Sequence, residues 1–291
     1  MSYLQLLVNG IVSGSIYGLA ALGFNMIYGT TKIFHVAYGS VMMISLYLVT
    51  AISLTAPTFY WAMVVGLISA LAFGALVYLV LYLPLERLGR SRTTIFIASL
   101  GLATLLEAVI PWIFGPQPLS FFVPRLTQII TIGGISVSPM SIGAVALALV
   151  FSVAFWAVLR WTTFGRQLRA VTSNTELGSV MGIRRVGLLT TVFAFGTAIG
   201  LLGMTIQTMG SSVTPDIDVS YTLIAAIIVL GGGAGSLLGS YVVALVFGVL
   251  QDGITRWVSA DWATVIVYGA FTLLILIRPV GLMSSSSKRI L

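Results

Sequence analysis

Cysteine is absent from this sequence of 291 residues, and charged side chains are scarce, at 7% of the total. Without cysteine the chain has no disulfide framework, no thiolate metal site and no thiol nucleophile. A soluble globular domain carries about 25% charged residues, whereas hydrophobic residues make up 58% of this chain. A core of this size cannot hide so much apolar surface from water. The composition therefore predicts that a lipid bilayer is the solvent for most of the chain.

Lysine and histidine are also rare, and their positions exclude two common kinds of site. A Walker-type ATP-binding loop needs a Gly-Lys pair followed by Ser or Thr, but neither Lys32 nor Lys288 follows a glycine. A two-histidine zinc motif cannot form, because His35 is the only histidine. The seven acids are scattered and form no intramembrane cluster of the kind that proton relays use. We therefore expect that the chain is not an enzyme and carries no catalytic residue, metal or cofactor.

Apolar runs separated by short polar blocks make up most of the chain. A membrane-spanning helix needs about 20 apolar residues. Six clear runs lie near 4–28, 58–83, 93–114, 140–159, 187–210 and 261–279, and three shorter, glycine-interrupted runs lie near 37–54, 219–232 and 236–254. The sequence predicts an all-α, polytopic membrane protein, a single domain over 1–291 with eight or nine spans and broken helices. Eight spans result if one run is re-entrant.

The distribution of charge and the character of the first apolar run predict on which side of the membrane each terminus lies. That run lacks a basic segment and a small-residue cleavage site, so we interpret it as a first span rather than a removable signal peptide. The net charge of +7 is spread in short blocks between runs, which is typical of membrane topology and not of nucleic-acid binding. With alternating spans, twelve of the fourteen basic residues fall on one side, which should be cytoplasmic. We expect the N-terminus outside and the C-terminus in the cytoplasm.

One polar segment, about 160–186, is too long and too basic to be a simple turn. It contains the sequence TTFGRQLRAVTSNTELGSVMGIRR at 162–185. Thr162 or Thr163 can cap a short helix that runs to about Thr172, with Leu168 and Val171 on one face. The sequence SNTE, beginning at Ser173, is typical of a capping box and predicts a second short helix that Gly182 ends. The segment is either a compact cytoplasmic docking element or an interfacial helix that anchors the loop among lipid headgroups.

Four stretches resemble one family of transport proteins. The stretch FGRQLRAVTSNTELGSVMGI, Phe164 to Ile183, resembles the cytoplasmic coupling loop of ABC importer permeases, in particular those of the branched-chain amino acid permease family. Three further stretches are similar to that family: GIVSGSIYGLAALGFNMIYG from Gly10, AAIIVLGGGAGSLLGSYV from Ala225 and LLILIRPVGLM from Leu273. They cover the beginning, middle and end of the chain in the family's order. The resemblance therefore extends over the whole chain.

The resemblance implies a set of partners. Such a permease works with two separate ABC ATPase subunits, which bind ATP and Mg²⁺, with a second permease subunit that is commonly non-identical, and with a solute-binding protein outside the membrane. The implied location is the bacterial inner membrane, and no nucleic acid is involved. The implied cargo is a branched-chain or other amino acid, with urea or a short-chain amide as the alternative. An ion-coupled secondary transporter is a less favoured reading, because intramembrane charge is scarce. The residues expected to couple to the ATPase are Phe164, Gly165, Arg166, Arg169, Asn174, Glu176 and Gly182.

Three other features are candidates for the translocation pathway. The stretch from His35 to Ser40 lies where the family usually has N-F-A-H-G-E, and only Ala37 and Gly39 match that pattern. An acid within an apolar span, Glu107, faces either a cavity or a hydrogen-bonding partner. A glycine triplet marks either a break that lines the pathway or a tight turn of a helical hairpin. The candidate pathway residues are thus His35, Tyr38, Gly39, Ser40, Glu107, Gly231, Gly232 and Gly233; for His35 and Tyr38 the alternative is a packed polar role.

Glycines at helical spacing predict close packing elsewhere. Gly10, Gly14 and Gly18 recur every four residues in the first run, and Gly196 and Gly200 repeat the spacing in another. Small residues at this spacing allow two helix backbones to approach closely. We expect these glycines to pack helices together and to have no direct contact with cargo.

Overall fold

The computed structural model describes residues 3–55, 59–120, 124–132, 135–173, 182–209, 212–213, 217–278 and 281–282. These residues are mostly helical. The helices in chain order are α1 (Tyr3–Thr31), α2 (Tyr38–Thr55), α3 (Phe59–Arg87), α4 (Arg92–Phe114), α5 (Pro124–Thr127), α6 (Pro139–Trp161), α7 (Thr163–Ser173), α8 (Arg185–Thr208), α9 (Ile217–Gly232), α10 (Leu237–Ile254) and α11 (Ala260–Ile277).

The apolar helices confirm an all-α polytopic membrane fold with eight or nine spans. Within the described ranges, six helices are long and apolar enough to cross a bilayer, namely α1, α3, α4, α6, α8 and α10. Three shorter apolar helices, α2, α9 and α11, complete the set. The glycine-containing run near 236–254 forms the continuous helix α10. Two of its glycines, Gly239 and Gly248, pack against neighbouring backbone, whereas Gly253 has open space beside it.

The polar stretch between α4 and α6 contains short strands that the sequence does not predict. Strand β1 (Leu119–Ser120) pairs antiparallel with β4 (Ser212–Val213), with Leu119 opposite Val213. Strands β2 (Ile130–Ile132) and β3 (Ile135–Val137) form a small hairpin, and the Gln5 side chain exchanges hydrogen bonds with the backbone of Ser136 at 2.7 and 2.8 Å. These contacts tie the stretch to the start of α1.

Helices α1 and α8 form the centre of the bundle, and glycine spacing allows them to do so. A Cβ added at Gly14 would lie 2.7 Å from the backbone of Leu245 on α10, and one added at Gly10 would lie 2.5 Å from Val249. On the other side of α1, Gly196 and Gly200 of α8 leave room for α1 and α2. The predicted packing role of both glycine repeats is confirmed, since a methyl group at any of these positions would collide with a neighbouring helix.

The two ends of the bundle differ in charge. At one end, which we call the basic end, Arg185 pairs with Glu86 at 3.2 Å, and Lys32 lies close to Arg92. Burial there, and to a lesser extent the charge of Arg92, lowers the pKa of Lys32 from its ordinary value. At the opposite end the guanidinium of Arg256 lies 4.6 Å from the ring centre of Tyr3. Helix α1 therefore starts at the opposite end, and α11 ends at the basic end.

The second span is broken. After α1 ends at the basic end, residues 32–37 run back into the bundle without helical structure, and α2 begins at Tyr38. The Tyr38 hydroxyl donates to the carbonyls of Ala20 at 3.1 Å and Gly196 at 3.2 Å, which places the start of α2 about 15 Å from the basic end. Irregular backbone at this depth is tolerated only where protein or a water-filled cavity satisfies it.

Candidate functional site

Helix α7 is the first half of the polar segment, and its N-terminus is capped as predicted. The Thr162 hydroxyl accepts a hydrogen bond from the Gly165 N–H at 3.2 Å, just before the helix begins at Thr163. Leu168 and Val171 are both buried, so the predicted apolar face exists and packs against the bundle. The backbone of α7 lies very close to the end of α6, because a Cβ at Gly165 would collide with Leu159. These contacts fix α7 rigidly to the basic end.

The side of α7 away from Leu168 and Val171 is polar. Arg166 and Gln167 are exposed, and Phe164 is half-buried against α6 and α8. Arg169 is also exposed, although its guanidinium donates to the carbonyl of Leu159. Gly182 has a φ of 74°, which is the left-handed region that glycine adopts readily. The predicted second helix, with Asn174 and Glu176, lies outside the described residues.

A cavity of about 430 Å³ lies between α7 and the centre of the bundle. Its walls include Leu168 and Arg169 of α7, Asn25 and Gly29 of α1, and Gly235. The lining is mostly apolar, with a few polar groups contributed by the asparagine, the arginine and two threonines. This cavity separates part of α7 from α1.

The glycine triplet forms the turn of a helical hairpin. Gly231 and Gly232 are the last residues of α9, Gly233 has a φ of 100°, and α10 starts four residues later at Leu237. A Cβ on Gly232 would lie 2.5 Å from the backbone of Gly239, so the hairpin closes only with small residues. The C-terminal segment covers the turn, because the Leu282 N–H donates to the Gly231 carbonyl at 2.8 Å. The described geometry is that of the tight-turn alternative, and a pathway role for these glycines stays a prediction.

The side chain of Asn25 holds this turn against α1. Its Oδ1 accepts from the Gly235 N–H at 2.8 Å, and its Nδ2 donates to the Ser236 carbonyl at 3.1 Å and to the Ser240 hydroxyl at 3.0 Å. Asn25 is buried, at 3% exposure, and also lines the cavity beneath α7. The sequence pattern does not predict a role for Asn25. A polar residue inside the apolar run LGFNMIYG was the only available signal.

A buried polar cluster surrounds the break before α2. The Tyr82 hydroxyl lies 2.7 Å from His35 Nδ1 and donates to the Ser99 hydroxyl at 2.8 Å. Ser99 in turn accepts from the Ala37 N–H at 3.2 Å, so it satisfies backbone in the irregular segment. A π-helical turn at Tyr78–Tyr82 brings both tyrosine rings within 5.2 Å of the ring of Phe193. Neither Tyr82 nor Ser99 was predicted from the sequence, because their partners are distant along the chain.

The other predicted residues at the break are also buried. The Gly39 N–H donates to the Thr222 hydroxyl at 2.8 Å, and Ser40 is 1% exposed. His35 and Tyr38 have no exposed surface. These positions agree with the alternative of packed polar residues for His35 and Tyr38, while the assignment of all four residues to a translocation pathway stays a prediction.

Glu107 occupies a different environment from the residues at the break. It is exposed on the surface of α4, and no described side chain pairs with it. It lies about 10 Å along the helix from Phe114, hence within the layer that the apolar part of α4 would span. The structure therefore places the described predicted residues in three groups, at α7 and Gly182, at the break before α2, and in the glycine turn between α9 and α10, and it leaves Glu107 apart from them.

Comparisons with known proteins agree over nearly the whole chain. The family model described as the permease component of branched-chain amino acid transport systems matches residues 6–276. The high-affinity branched-chain amino acid transport system permease protein LivH of Salmonella typhimurium is 25% identical over 297 residues, covering 97% of this chain and 95% of the relative. The corresponding protein BraD of Pseudomonas aeruginosa is 27% identical over 301 residues, with the same coverage. The ribose import permease protein RbsC of Haemophilus influenzae is 30% identical over 173 residues, 57% of this chain and 53% of the relative.

Proposed function

Since the chain belongs to the family of branched-chain amino acid transport system permease components, we propose that it is the membrane-spanning subunit of an ATP-driven importer for branched-chain or other small amino acids. The observation that carries the proposal is the family match over residues 6–276, which covers every membrane helix apart from the first three residues of α1 and the last residue of α11. The relatives of nearly full length are permeases for branched-chain amino acids. Cargo is delivered by a solute-binding protein on the outer side.

The orientation in this proposal follows from charge. The basic end carries Lys32, Arg92, Arg185 and the exposed arginines of α7, and an excess of Lys and Arg favours the cytoplasmic side. The N-terminus then lies outside and the end of α11 lies at the cytoplasmic surface. The chain is a subunit of the inner membrane of a bacterium.

Helix α7 is the proposed docking element for the partner ATPase. Its apolar face is used within the subunit, through Leu168 and Val171, while Arg166 and Gln167 face away from the bundle. A lipid anchor would need its apolar face turned toward the acyl chains, whereas this face is covered by protein. ATP and Mg²⁺ are bound by the two ATPase subunits and not by this chain.

The contacts of α7 suggest how ATPase closure reaches the membrane helices. Gly165 and Arg169 fix α7 to Leu159 at the end of α6, and the cavity beneath α7 ends at Asn25 and Gly235. A displacement of α7 would therefore move α6 directly and would press on the turn of the α9–α10 hairpin. In this scheme Asn25 is a positioning residue, because it keeps the turn attached to α1.

The break at 32–37 has a separate role in the proposal. The predicted pathway residue in the break and the three at the start of α2 are all buried in this conformation. They reach cargo only if α2 moves relative to α1 and α8. Glu107 is exposed already and lines a pathway at the subunit surface without such a movement. We therefore place the pathway beside α4 and treat the His35 cluster as the support for α2.

Reconstitution tests the proposed function directly. The chain is incorporated in proteoliposomes with its second permease and ATPase subunits, and a loaded binding protein presents radiolabelled leucine, other amino acids, urea or acetamide. We expect uptake of an amino acid that requires ATP and stops with a non-hydrolysable ATP analogue. Uptake by the permease alone, driven by an ion gradient, would contradict the proposal. ATP-dependent uptake of urea or acetamide alone would keep the permease assignment and overturn the cargo.

A further inference from the structure

An apolar groove opens on the surface of the bundle between α6 and α8, and we call it the α6–α8 groove. Its volume is about 330 Å³. Three of its lining side chains are buried, namely Met26 of α1, Phe155 of α6 and Ile199 of α8. Two others are open to the surroundings, since Phe195 is 50% exposed and Val158 is 37% exposed. The groove is therefore closed toward α1 and open toward the outside of the bundle.

The lining of the groove offers nothing to a polar solute. Among the lining residues that the structure describes, only Thr191 has a polar side chain. Its hydroxyl already donates to the Gly187 carbonyl at 2.9 Å. A polar group that enters an apolar site without a hydrogen-bond partner loses free energy. The groove therefore suits hydrocarbon and does not suit an amino acid or another small polar molecule.

The groove lies at the depth of one leaflet of a bilayer. Tryptophan is enriched at membrane–water interfaces, and the exposed Trp161 at the end of α6 marks such a level. Val158 and Phe151 precede Trp161 by three and ten residues. At about 1.5 Å per residue the groove runs from about 5 Å to about 15 Å below Trp161. Half of the hydrocarbon core of a bilayer is about 15 Å thick, so the groove has the position of an acyl chain.

A polar cavity of about 430 Å³ continues the groove toward the basic end, and we call it the Arg184 cavity. Phe164 and Thr191 line both spaces, so the two meet. Arg184 and Gln167 also line the cavity and are exposed, and neither side chain forms a hydrogen bond or an ion pair with another described residue. Gly187 lies in the first turn of α8, where backbone N–H groups favour an anion. The cavity therefore offers a cation and hydrogen-bond donors at the level of the headgroups.

Size and charge together decide what kind of molecule fits. A helix with its side chains is about 10–12 Å across, so about 10 Å of its length would need more than twice the 330 Å³ of the groove. A single hydrocarbon chain is thinner and has no polar group to satisfy. Basic pockets at the ends of membrane helices bind anionic lipid headgroups. A zwitterionic headgroup brings its own cation beside Arg184 and gains less from the guanidinium.

We propose that the α6–α8 groove and the Arg184 cavity form a binding site for one anionic phospholipid of the leaflet at the basic end. An acyl chain fills the groove, and the phosphate contacts Arg184 and Gln167. Because Phe164 belongs to α7 and lines both spaces, the lipid also supports α7 against α8. The inference goes beyond the proposed function, since it requires a membrane fold and not any particular cargo or energy source.

Photolabelling of the full chain tests where the lipid binds. The chain is purified from membranes with the subunits that accompany it and is reconstituted in proteoliposomes. The probe is phosphatidylglycerol with a diazirine in its acyl chain, and phosphatidylcholine with the same chains is the control lipid. We expect at least tenfold more labelling of residues 151–158 and 191–199 by the anionic probe. Equal labelling by both lipids, or labelling spread evenly over the exposed surface of α6, would overturn the proposal. So would no labelling, which would assign the groove to a partner subunit.

Variants test the two halves of the site by native mass spectrometry with added phosphatidylglycerol. Arg184→Gln should lower the association constant about fivefold, the contribution of one basic residue near an anionic surface. Ala154→Phe, at an exposed position in the groove, should lower it at least tenfold by filling the space. The controls are Arg90→Gln, at an exposed arginine outside both spaces, and Val153→Phe, at a position of α6 that is 62% exposed outside the groove. Both controls should bind as the parent does.

The outcomes separate this inference from the proposed function. Unchanged binding by both Arg184→Gln and Ala154→Phe, or equal losses in the two controls, would overturn the site. The photolabelling uses the parent chain and does not depend on the folding of any variant. If the lipid binds as expected but uptake needs no ATP, the site stands and the proposed function fails. If ATP-driven uptake of an amino acid occurs but the two lipids label the chain equally, the proposed function stands and the site fails.

Discussion

Asn25 accepts a 2.8 Å hydrogen bond from the backbone N–H of Gly235, across 210 residues of sequence. Together with the two bonds that its Nδ2 donates to Ser236 and Ser240, this contact attaches the turn of the α9–α10 hairpin to α1. Asn25 is also a wall of the cavity beneath α7. The Asn25 amide therefore lies between the hairpin turn, which it binds, and the cavity that separates it from α7.

Replacement of this amide should weaken the fold. Asn25→Ala removes all three hydrogen bonds of this side chain, although the Ser240 hydroxyl keeps its 3.1 Å bond to the Ser236 carbonyl. The loss of these bonds should cost about 1–3 kcal/mol. The free energy of unfolding, measured by titration with SDS in mixed micelles, should fall by that amount. Asn9→Ala is the control on the same helix, because Asn9 is only half-buried and accepts one bond, from Gln5 at 2.8 Å. If both variants lost the same free energy of unfolding, the three hydrogen bonds of Asn25 would contribute no more than the single bond of Asn9.

The hydroxyl of Tyr82, which lies on α3 beside the break before α2, should also stabilise the fold. Tyr82→Phe removes the hydroxyl that lies 2.7 Å from His35 Nδ1 and donates to Ser99, in a site without exposed surface. The free energy of unfolding should drop by about 1–3 kcal/mol. Tyr60→Phe, at a side chain that is 73% exposed, should change it by less than about 0.5 kcal/mol. A Tyr82→Phe protein as stable as the parent would mean that the cluster does not support α2.

Replacement by alanine should lower stability at Gly200, which is in close contact with α2, and raise it at Gly143, which has open space beside it. In Gly200→Ala the new methyl group would lie 2.8 Å from Tyr38 Cζ and closer still to Met42, so we expect a loss of about 1–3 kcal/mol from overpacking. Gly143→Ala places a methyl group in open space on α6. That variant should gain up to about 1 kcal/mol from the higher helix propensity of alanine. Thermal denaturation of the two proteins in the same detergent compares them, and a loss at Gly143 would contradict the open flank.

The sequence predicted the parts of the fold that depend on local pattern. Run lengths predicted the nine apolar helices, and the three-residue spacing of Leu168 and Val171 predicted the buried face of α7. The glycine repeats predicted close packing of two helices, although not that the partners of α1 are α10 and α8. Two features were not predictable from such patterns. The depth at which α2 begins depends on Ser99 and Thr222, which satisfy backbone N–H groups from distant helices. The burial of His35 depends likewise on Tyr82 and Phe193.

Reversing the charge of Arg166 on α7 should impair ATP-driven transport without lowering the stability of the fold. The Arg166 side chain is exposed and makes no hydrogen bond or ion pair with the residues that the structure describes, whereas Leu168 and Val171 are buried against the bundle. Arg166→Glu should therefore change the free energy of unfolding by less than about 0.5 kcal/mol. In the assembled transporter we expect a loss of at least about tenfold in ATP-driven uptake. The introduced acid would be repelled by the ATPase surface that binds the arginine.

A second exposed arginine at the same end provides the control for this reversal. Arg90→Glu alters the segment between α3 and α4, makes the same change in net charge and is also exposed. If α7 is the docking element, Arg90→Glu should retain most of the uptake, and the ATPase subunits should co-purify with it in normal amounts but not with Arg166→Glu. Similar losses from both variants would indicate a general effect of charge at the basic end, because a specific contact of α7 would not respond to Arg90. A raised salt concentration, which screens exposed charges, should weaken the ATPase association of the parent protein toward that of the Arg166→Glu variant.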